Sequence, residues 1–293
     1  MDTPEIINIK EYEYAGEGAN GVSYNHKTDQ RFMLKLYNET VPGDFVQREL
    51  DRARHVYEMG IPSPKPGVLI TDGKRLGIRF ERIVNKKSFS RLVGEHPEKV
   101  EQYAREFARM CKKLHSTPCD TTIFENVKDA YKRDLELNPF FTAEEKSKIA
   151  TLIEQTPDAL TAIHGDLQFS NAITDGEHNY FIDFGDFAYG NPKFDLGMVL
   201  LCCKYDSEEF VQQVFHMSKE TASKFWDHFV PEYFGEGTDP DEMDRQLRPY
   251  AGLKTLIIER YVGKPMPEFR ELLGGMENGE LGLSAMPTAS GKR

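Results

Sequence analysis

The stretch AIHGDLQFSNAITDGEHNYFIDFGDFAYGNPKFDLG, residues 162–197, decides how this chain is read. A short apolar run at 160–163 leads into it. That run breaks at once into the polar loop His164-Gly165-Asp166-Leu167-Gln168-Phe169-Ser170-Asn171. Two brief β-like runs follow, joined by the Asp175-Gly176 turn signal, and the second delivers Asp183 into Ile182-Asp183-Phe184-Gly185. Apolar runs that end in an aspartate, an asparagine and another aspartate suit a site where carboxylates face a metal-bound polyphosphate.

Working outward, residues 1–83 read mostly as strands. Gly16-Glu17-Gly18-Ala19-Asn20-Gly21 has the form G-x-G-x-x-G, which alone is weak evidence. A dinucleotide-binding loop needs a helix directly after the glycines. Here the β-like Val22-Ser23-Tyr24 and a polar turn at 25–30 follow, so the expectation is strand–loop–strand. In that arrangement, bare backbone at Gly16, Gly18 and Gly21 leaves room for phosphates; a plain hairpin turn is the alternative. Lys35 interrupts the apolar run 32–37 and shares a strand face with Met33 and Tyr37. A lysine there is costly unless an anion meets it or the strand lies at an exposed edge. Residues 44–59 read as a helix ending at Gly60, with Pro62 beyond. Phe45, Glu49, Ala53 and Val56 fall on one face of it, so Glu49 breaks an apolar stripe, and Lys35 is its natural partner unless Glu49 is solvated. The prolines at 62, 64 and 66 make a stiff extended connector, and a hairpin across Asp72-Gly73 follows.

Asp166, Asn171 five residues on, and Asp-Phe-Gly at 183–185 on the next strand have the spacing of kinase phosphoryl-transfer chemistry. The His-Gly-Asp form of the loop resembles the kinase-like small-molecule phosphotransferases, the superfamily of aminoglycoside phosphotransferases and choline kinases. The resemblance spans about residues 11–205. It implies an α+β, bilobal protein-kinase-like fold, with a β-rich N-terminal lobe and hinge at 1–83, a mostly helical lobe at 84–273, and a flexible tail at 274–293. It further implies ATP or GTP as donor and Mg²⁺ as cofactor, with a small-molecule hydroxyl as acceptor. By this likeness Asp166 is the catalytic aspartate, Asn171 and Asp183 are the metal ligands, and Lys35, paired with Glu49, contacts the phosphates. Gly16, Gly18 and Gly21 cover the nucleotide, and the Glu81 carbonyl and Ile83 amide meet the adenine. His164 then supports the loop and is not the base. An aspartate at position 195 braces the loop in related kinases, although a helix-start aspartate facing the dipole is also compatible with its place. Gln168 and Phe184-Gly185 depart from the pattern of the antibiotic-resistance enzymes.

Asp195 follows only ten positions after Gly185, leaving too few residues for the activation segment of a protein kinase, and no Ala-Pro-Glu anchor follows. The acceptor is therefore expected to be a small molecule: an amino alcohol such as choline, a sugar or aminosugar, or an aminoglycoside. Acidic positions such as Asp186, Asp227 and Glu259 are candidates to meet a cationic one. A nucleotide-binding pseudokinase would lack a chemical residue, and none is missing. Helical stripes are expected at 100–114, 128–137, 143–155, 194–203, 208–217, 219–234 and 241–261. His115, at the end of the first, is read as a helix-end residue without chemistry. Met217, Phe225, Trp226, Phe229 and Tyr233 are read as core.

Composition sets the class. The 293 residues, 39% hydrophobic and 29% charged, are those of an ordinary globular protein. A net charge of −11 argues against nucleic acid or an anionic membrane as partner. Cys111, Cys119, Cys202 and Cys203 lack metal-ligand spacing, and nothing approaches the roughly 20 apolar residues of a membrane span. With no signal-peptide pattern at the N-terminus, a cytoplasmic location is expected.

Overall fold

The computed structural model describes residues 2–18 and 20–273. The expected flexible tail, 274–293, lies outside the described residues. The chain forms two compact units: residues up to Ser88 together with Asn171–Gly185, and Phe89–Ser170 together with the residues from Asp186 onward.

In the first unit β1 (Glu5–Ile6), β2 (Tyr12–Gly18), β3 (Gly21–His26), β4 (Phe32–Tyr37), β5 (Pro66–Thr71) and β6 (Leu76–Glu81) make one sheet in the order β1-β5-β6-β4-β3-β2. The helix α1 (Gly43–Glu58) packs on β5 and β6. Period-2 alternation along β4 sends Leu34 and Leu36 to one face, where Ile70 joins them, and Tyr37 to the other. Tyr37, Val46, Leu50, Leu69 and Ile78 fill the space between sheet and helix. Each such side chain contributes about 1.5–3 kcal/mol by leaving water. Lys35 therefore comes out on the α1 face.

A two-residue strand β7 (Lys87–Ser88) ends this segment, and the second unit begins with α2 (Phe89–Glu95), α3 (Val100–Leu114), α4 (Val127–Leu137), α5 (Ala143–Gln155) and β8 (Thr161–Ile163). On α3 the expected stripe is buried, with Cys111 and not Met110 facing inward. The hairpin β9 (Ala172–Thr174) and β10 (Asn179–Phe181) then pairs with β7. The sequence reading placed all of 84–273 in one helical lobe; this hairpin joins the first unit instead, because Lys87–Ser88 extends its sheet and the Phe181 amide donates to the Pro62 carbonyl at 2.8 Å.

The second unit resumes with β11 (Ala188–Gly190), antiparallel to β8, then α6 (Lys193–Leu200), α7 (Glu208–Phe215), α8 (Lys219–Phe234), α9 (Pro240–Val262) and α10 (Pro267–Arg270). The expected helix 194–203 runs only to Leu200 before widening into a π-helical turn, Leu201–Tyr205, with Cys202 and Cys203 fully buried. Pairs α3 with α8 and α6 with α9 dominate the packing. Phe107, Phe169, Phe225 and Phe229 form an aromatic core, with Phe169 and Phe225 ring centroids 4.7 Å apart. Met217, Trp226 and Tyr233 are buried with them, as expected of core residues. Among the described residues no helix is long and apolar enough to cross a membrane.

Candidate active site

In the first unit the β2–β3 hairpin closes with Gly18 opposite Gly21, and the Asn38 amide ties its tip to the end of β4 through the Asn20 carbonyl at 2.9 Å. No helix follows the glycines, which removes the dinucleotide-binding alternative. The glycines have separate reasons. A Cβ at Gly16 would meet nothing within 4 Å, so its backbone is open to a ligand, and Gly18 is similarly clear. A Cβ at Gly21 would come within 2.3 Å of the Leu36 carbonyl oxygen, so strand packing alone requires glycine there.

The Lys35 ammonium donates to Glu49 Oε1 at 2.8 Å and to Asp183 Oδ1 at 3.2 Å, and lies 5.1 Å from the Tyr37 ring centroid. Three elements thus converge: β4, the buried stripe of α1, and the segment after β10 that carries Asp183. Burial works to lower the Lys35 pKa, but the charges of Asp183 and Glu49 outweigh it and hold the ammonium above its ordinary value. Asp183 itself takes φ 66°, left-handed for a non-glycine residue, a conformation that costs on the order of 1 kcal/mol and clusters at functional sites. The β9–β10 pairing brings the two expected metal ligands to one end of the hairpin, where the Ile182 amide donates to the Asn171 carbonyl at 2.9 Å. Farther along, the Glu81 amide donates to the Lys65 carbonyl at 2.9 Å, and the Lys65 amide goes to the Glu81 carboxylate at 3.2 Å. Ile83 is buried.

Lys35→Met leaves Glu49, whose side chain is 9% exposed, beside a neutral side chain. We predict a loss of about 1–3 kcal/mol in urea unfolding, together with weakened nucleotide binding. Wild-type stability in that variant would show that the pair does not support the fold.

In the second unit, β8 leads into the loop at His164. Burial of His164, Leu167 and Phe169 pins that loop inward at three points. Asp195, in the first turn of α6 and fully buried, accepts from the His164 amide at 2.7 Å and the Gly165 amide at 2.9 Å. His115 Nε2 lies 3.1 Å from Asp195 Oδ2, and its Nδ1 is 2.7 Å from the Tyr233 hydroxyl. His115 is therefore no plain helix-end residue: it is the buried partner that orients the brace. Burial alone would push the Asp195 carboxyl up, but the His115 hydrogen bond and the charges of His115, His164 and Lys254 hold it below its ordinary value. Gly165 has φ +87°, and a Cβ there would sit 2.1 Å from the Asp186 carbonyl oxygen, so no other residue fits. Within the loop Gln168 Nε2 donates to Asp166 Oδ2 at 2.9 Å, and the Asp166 amide reaches His164 Nδ1 at 3.4 Å.

One acidic candidate for a cationic acceptor is withdrawn. Glu259 is fully buried, receiving the Met266 amide and Arg270 Nε, each at 2.7 Å, as well as Asn138. Asp227 lies 3.4 Å from the Lys204 ammonium. Asp206, after the π-helical turn, is 6% exposed, and burial pushes its carboxyl up to about 7 against the opposing charge of Lys219. The unfolded chain ionises Asp206 in the ordinary carboxylate range, so folding stability falls as pH rises from there through about 7 and stays lower above it. Asp206→Asn is expected to stabilise the protein by roughly 2 kcal/mol more at pH 8 than at pH 5. Equal shifts in the urea midpoint at both pH values would contradict this.

The sequence matches the profile of the phosphotransferase enzyme family over residues 12–227, most of the chain. The chain belongs to the phosphotransferase enzyme family. As a member it is a small-molecule kinase, in keeping with the loop pattern. No curated protein sequence matches it. Similar solved structures include the ADP-bound aminoglycoside phosphotransferase APH(2'')-Ib, at 18% identity and TM-score 0.58, covering 90% of this chain and 92% of the other. A choline/ethanolamine kinase family protein from Mesorhizobium loti matches at 17% identity and TM-score 0.55, covering 92% and 90%. A thermostable mutant of APH(4)-Ia, in a ternary complex with ADP and hygromycin B, matches at 13% identity and TM-score 0.59, covering 91% and 92%. At these identities the likeness shows that this phosphotransferase has the kinase-like fold.

Proposed function

We propose that this phosphotransferase moves the γ-phosphoryl group of a magnesium-bound nucleoside triphosphate, ATP or GTP, to a hydroxyl of a small molecule. The observation that carries the reading is the meeting of Lys35, Glu49 and Asp183 from three separate elements of one unit. Solved relatives held with ADP support a nucleotide as donor. In this reading the backbone at Gly16 and Gly18, with Gly21 shaping the hairpin, covers the phosphates, and Lys35, fixed by Glu49, meets the α- and β-phosphates. The Glu81 carbonyl and Ile83 amide take the adenine edge.

The donor set fits magnesium. Asp183 and Asn171 supply hard oxygen ligands, and the Asp183 side chain is 54% exposed. Mg²⁺ is held by one or two protein oxygens together with substrate phosphates and water, which would supply the remaining ligands. When bound, the ion neutralises charge on the phosphates. Asp166, held by Gln168, orients the acceptor hydroxyl and takes its proton. The oxygen so released bonds to the γ-phosphorus as the bond to the β–γ bridging oxygen breaks, and the nucleoside diphosphate leaves. Candidate acceptors are amino alcohols such as choline, sugars or aminosugars, and aminoglycosides.

The test is ADP or GDP release from each triphosphate, with and without Mg²⁺, against a panel of these acceptors. Acceptor-stimulated, Mg²⁺-dependent release is expected. Nucleotide binding without release, for every acceptor, would favour a pseudokinase, and displacement of a bound ATP analogue by NAD would overturn the kinase reading.

A further inference from the structure

The helix α9 lies beyond residues 12–227, the part of the chain that matches the family, yet it sends one buried cation into the loop that carries Asp166. Lys254 is 4% exposed, and its ammonium donates to the Gly165 carbonyl at 2.6 Å. The same ammonium lies 5.5 Å from the Tyr131 ring centroid. Desolvating a lysine this completely is costly unless its charge is used.

The geometry becomes specific when the loop is taken one peptide plane at a time. The plane between His164 and Gly165 is held through its amide, which donates to Asp195 Oδ1 at 2.9 Å. The next plane, between Gly165 and Asp166, is held at both ends: its carbonyl by Lys254 at 2.6 Å, its amide by His164 Nδ1 at 3.4 Å. A peptide unit is rigid, so fixing both its oxygen and its N–H fixes the direction in which the following α-carbon leaves. That α-carbon is Asp166's.

We propose that Lys254 is a positioning residue for phosphoryl transfer: it clamps the Gly165–Asp166 peptide from its carbonyl side, so that the Asp166 carboxylate is presented in one orientation. The role rests on the reading of Asp166 given above. Burial works against the Lys254 charge, but Tyr131, Asp195 and Asp166 outweigh it and hold the ammonium protonated. Asp134 on α4 and Cys202 in the π-helical turn also sense its charge. Asp195 and Lys254 thus grip one glycine from opposite sides, one at its N–H and the other at its C=O. Only the first grip comes from a segment within the family match.

The test compares Lys254→Met, which keeps the length and apolar stem but cannot donate, with wild type and with Lys254→Gln, which restores a neutral donor. Two readouts are taken: backbone amide hydrogen exchange of the whole chain, and steady-state turnover with an acceptor found above. The methionine variant is expected to exchange the 164–168 amides about tenfold faster while those of α3 and α8 keep their protection. Its kcat should fall by about 10²-fold with the nucleotide KM within about threefold of wild type, and glutamine should recover part of the loss. A folded Lys254→Met protein with unchanged exchange at 164–168, or with wild-type kcat, overturns the proposal. Should methionine prevent folding, Lys254→Gln carries the same comparison with smaller expected changes. A wild-type protein that transfers phosphate to no acceptor defeats the functional reading instead, and amide exchange still decides whether the clamp exists.

Discussion

Asp166→Asn should leave nucleotide binding and the thermal melt near wild type while lowering phosphoryl transfer by about 10³-fold. The substitution keeps the shape and the Gln168 contact through the amide oxygen, so the loop is not disturbed. What it removes is the negative charge proposed to orient the acceptor hydroxyl and take its proton, an effect worth about 10²–10⁴ in rate. The measurement is kcat and KM for donor and acceptor separately, since loss of an interaction made only in the transition state lowers kcat and leaves KM alone. Turnover equal to wild type would remove Asp166 from the role assigned to it. A raised nucleotide KM at unchanged kcat would move it to donor binding.

Asp195→Ala is expected to destabilise the fold by about 4 kcal/mol. The carboxylate is fully buried and accepts from two backbone amides and a buried histidine. Truncation leaves those donors without an acceptor, a loss in the range of about 3–5 kcal/mol for breaking a buried pair. Asp195→Asn retains one carbonyl oxygen and should lose less. The pH dependence carries a sign. The folded pKa lies below the ordinary range, so the stabilisation is present above the ordinary carboxylate value and is lost as pH falls through the folded one. The wild type should therefore lose stability more steeply than Asp195→Asn on acidification below about pH 4. An alanine variant melting within a degree or two of wild type would show that the loop does not depend on this brace.

Much of the site was legible because its parts are local in sequence. The spacing from Asp166 to Asn171 to Asp183, the strand rather than helix after the glycines, and the two charges interrupting apolar runs at Lys35 and Glu49 are all patterns within one or two elements. Alternation along β4 is enough to place Lys35 on the face that α1 covers, and helical spacing is enough to turn Glu49 toward it. Lys254 carried the same signal, a lysine set among apolar residues of a helix, and could have been singled out on that ground. His115 carried a weaker one, four residues after a buried cysteine on the same stripe.

The sequence determined the β-rich first segment by its spacing, and by its resemblance to the kinase-like phosphotransferases it pointed to the class of this chain and to the charged groups proposed to handle phosphate. Those properties depend on the side-chain periods of strands and helices and on the fixed order of a loop, which the chain carries in one dimension. Tertiary structure alone added His115 and Lys254 to what holds the loop in place. His115 reaches Asp195 across 80 residues and Lys254 reaches Gly165 across 89. It also decided that Glu259 serves an internal ion pair and that the hairpin 172–181 belongs with the first unit. Burial and pairing of charges arise only when distant elements close around them. Across separations of 80 residues or more no local pattern states which buried charge will find a partner, because the cost of leaving one unpaired is met by the packing as a whole.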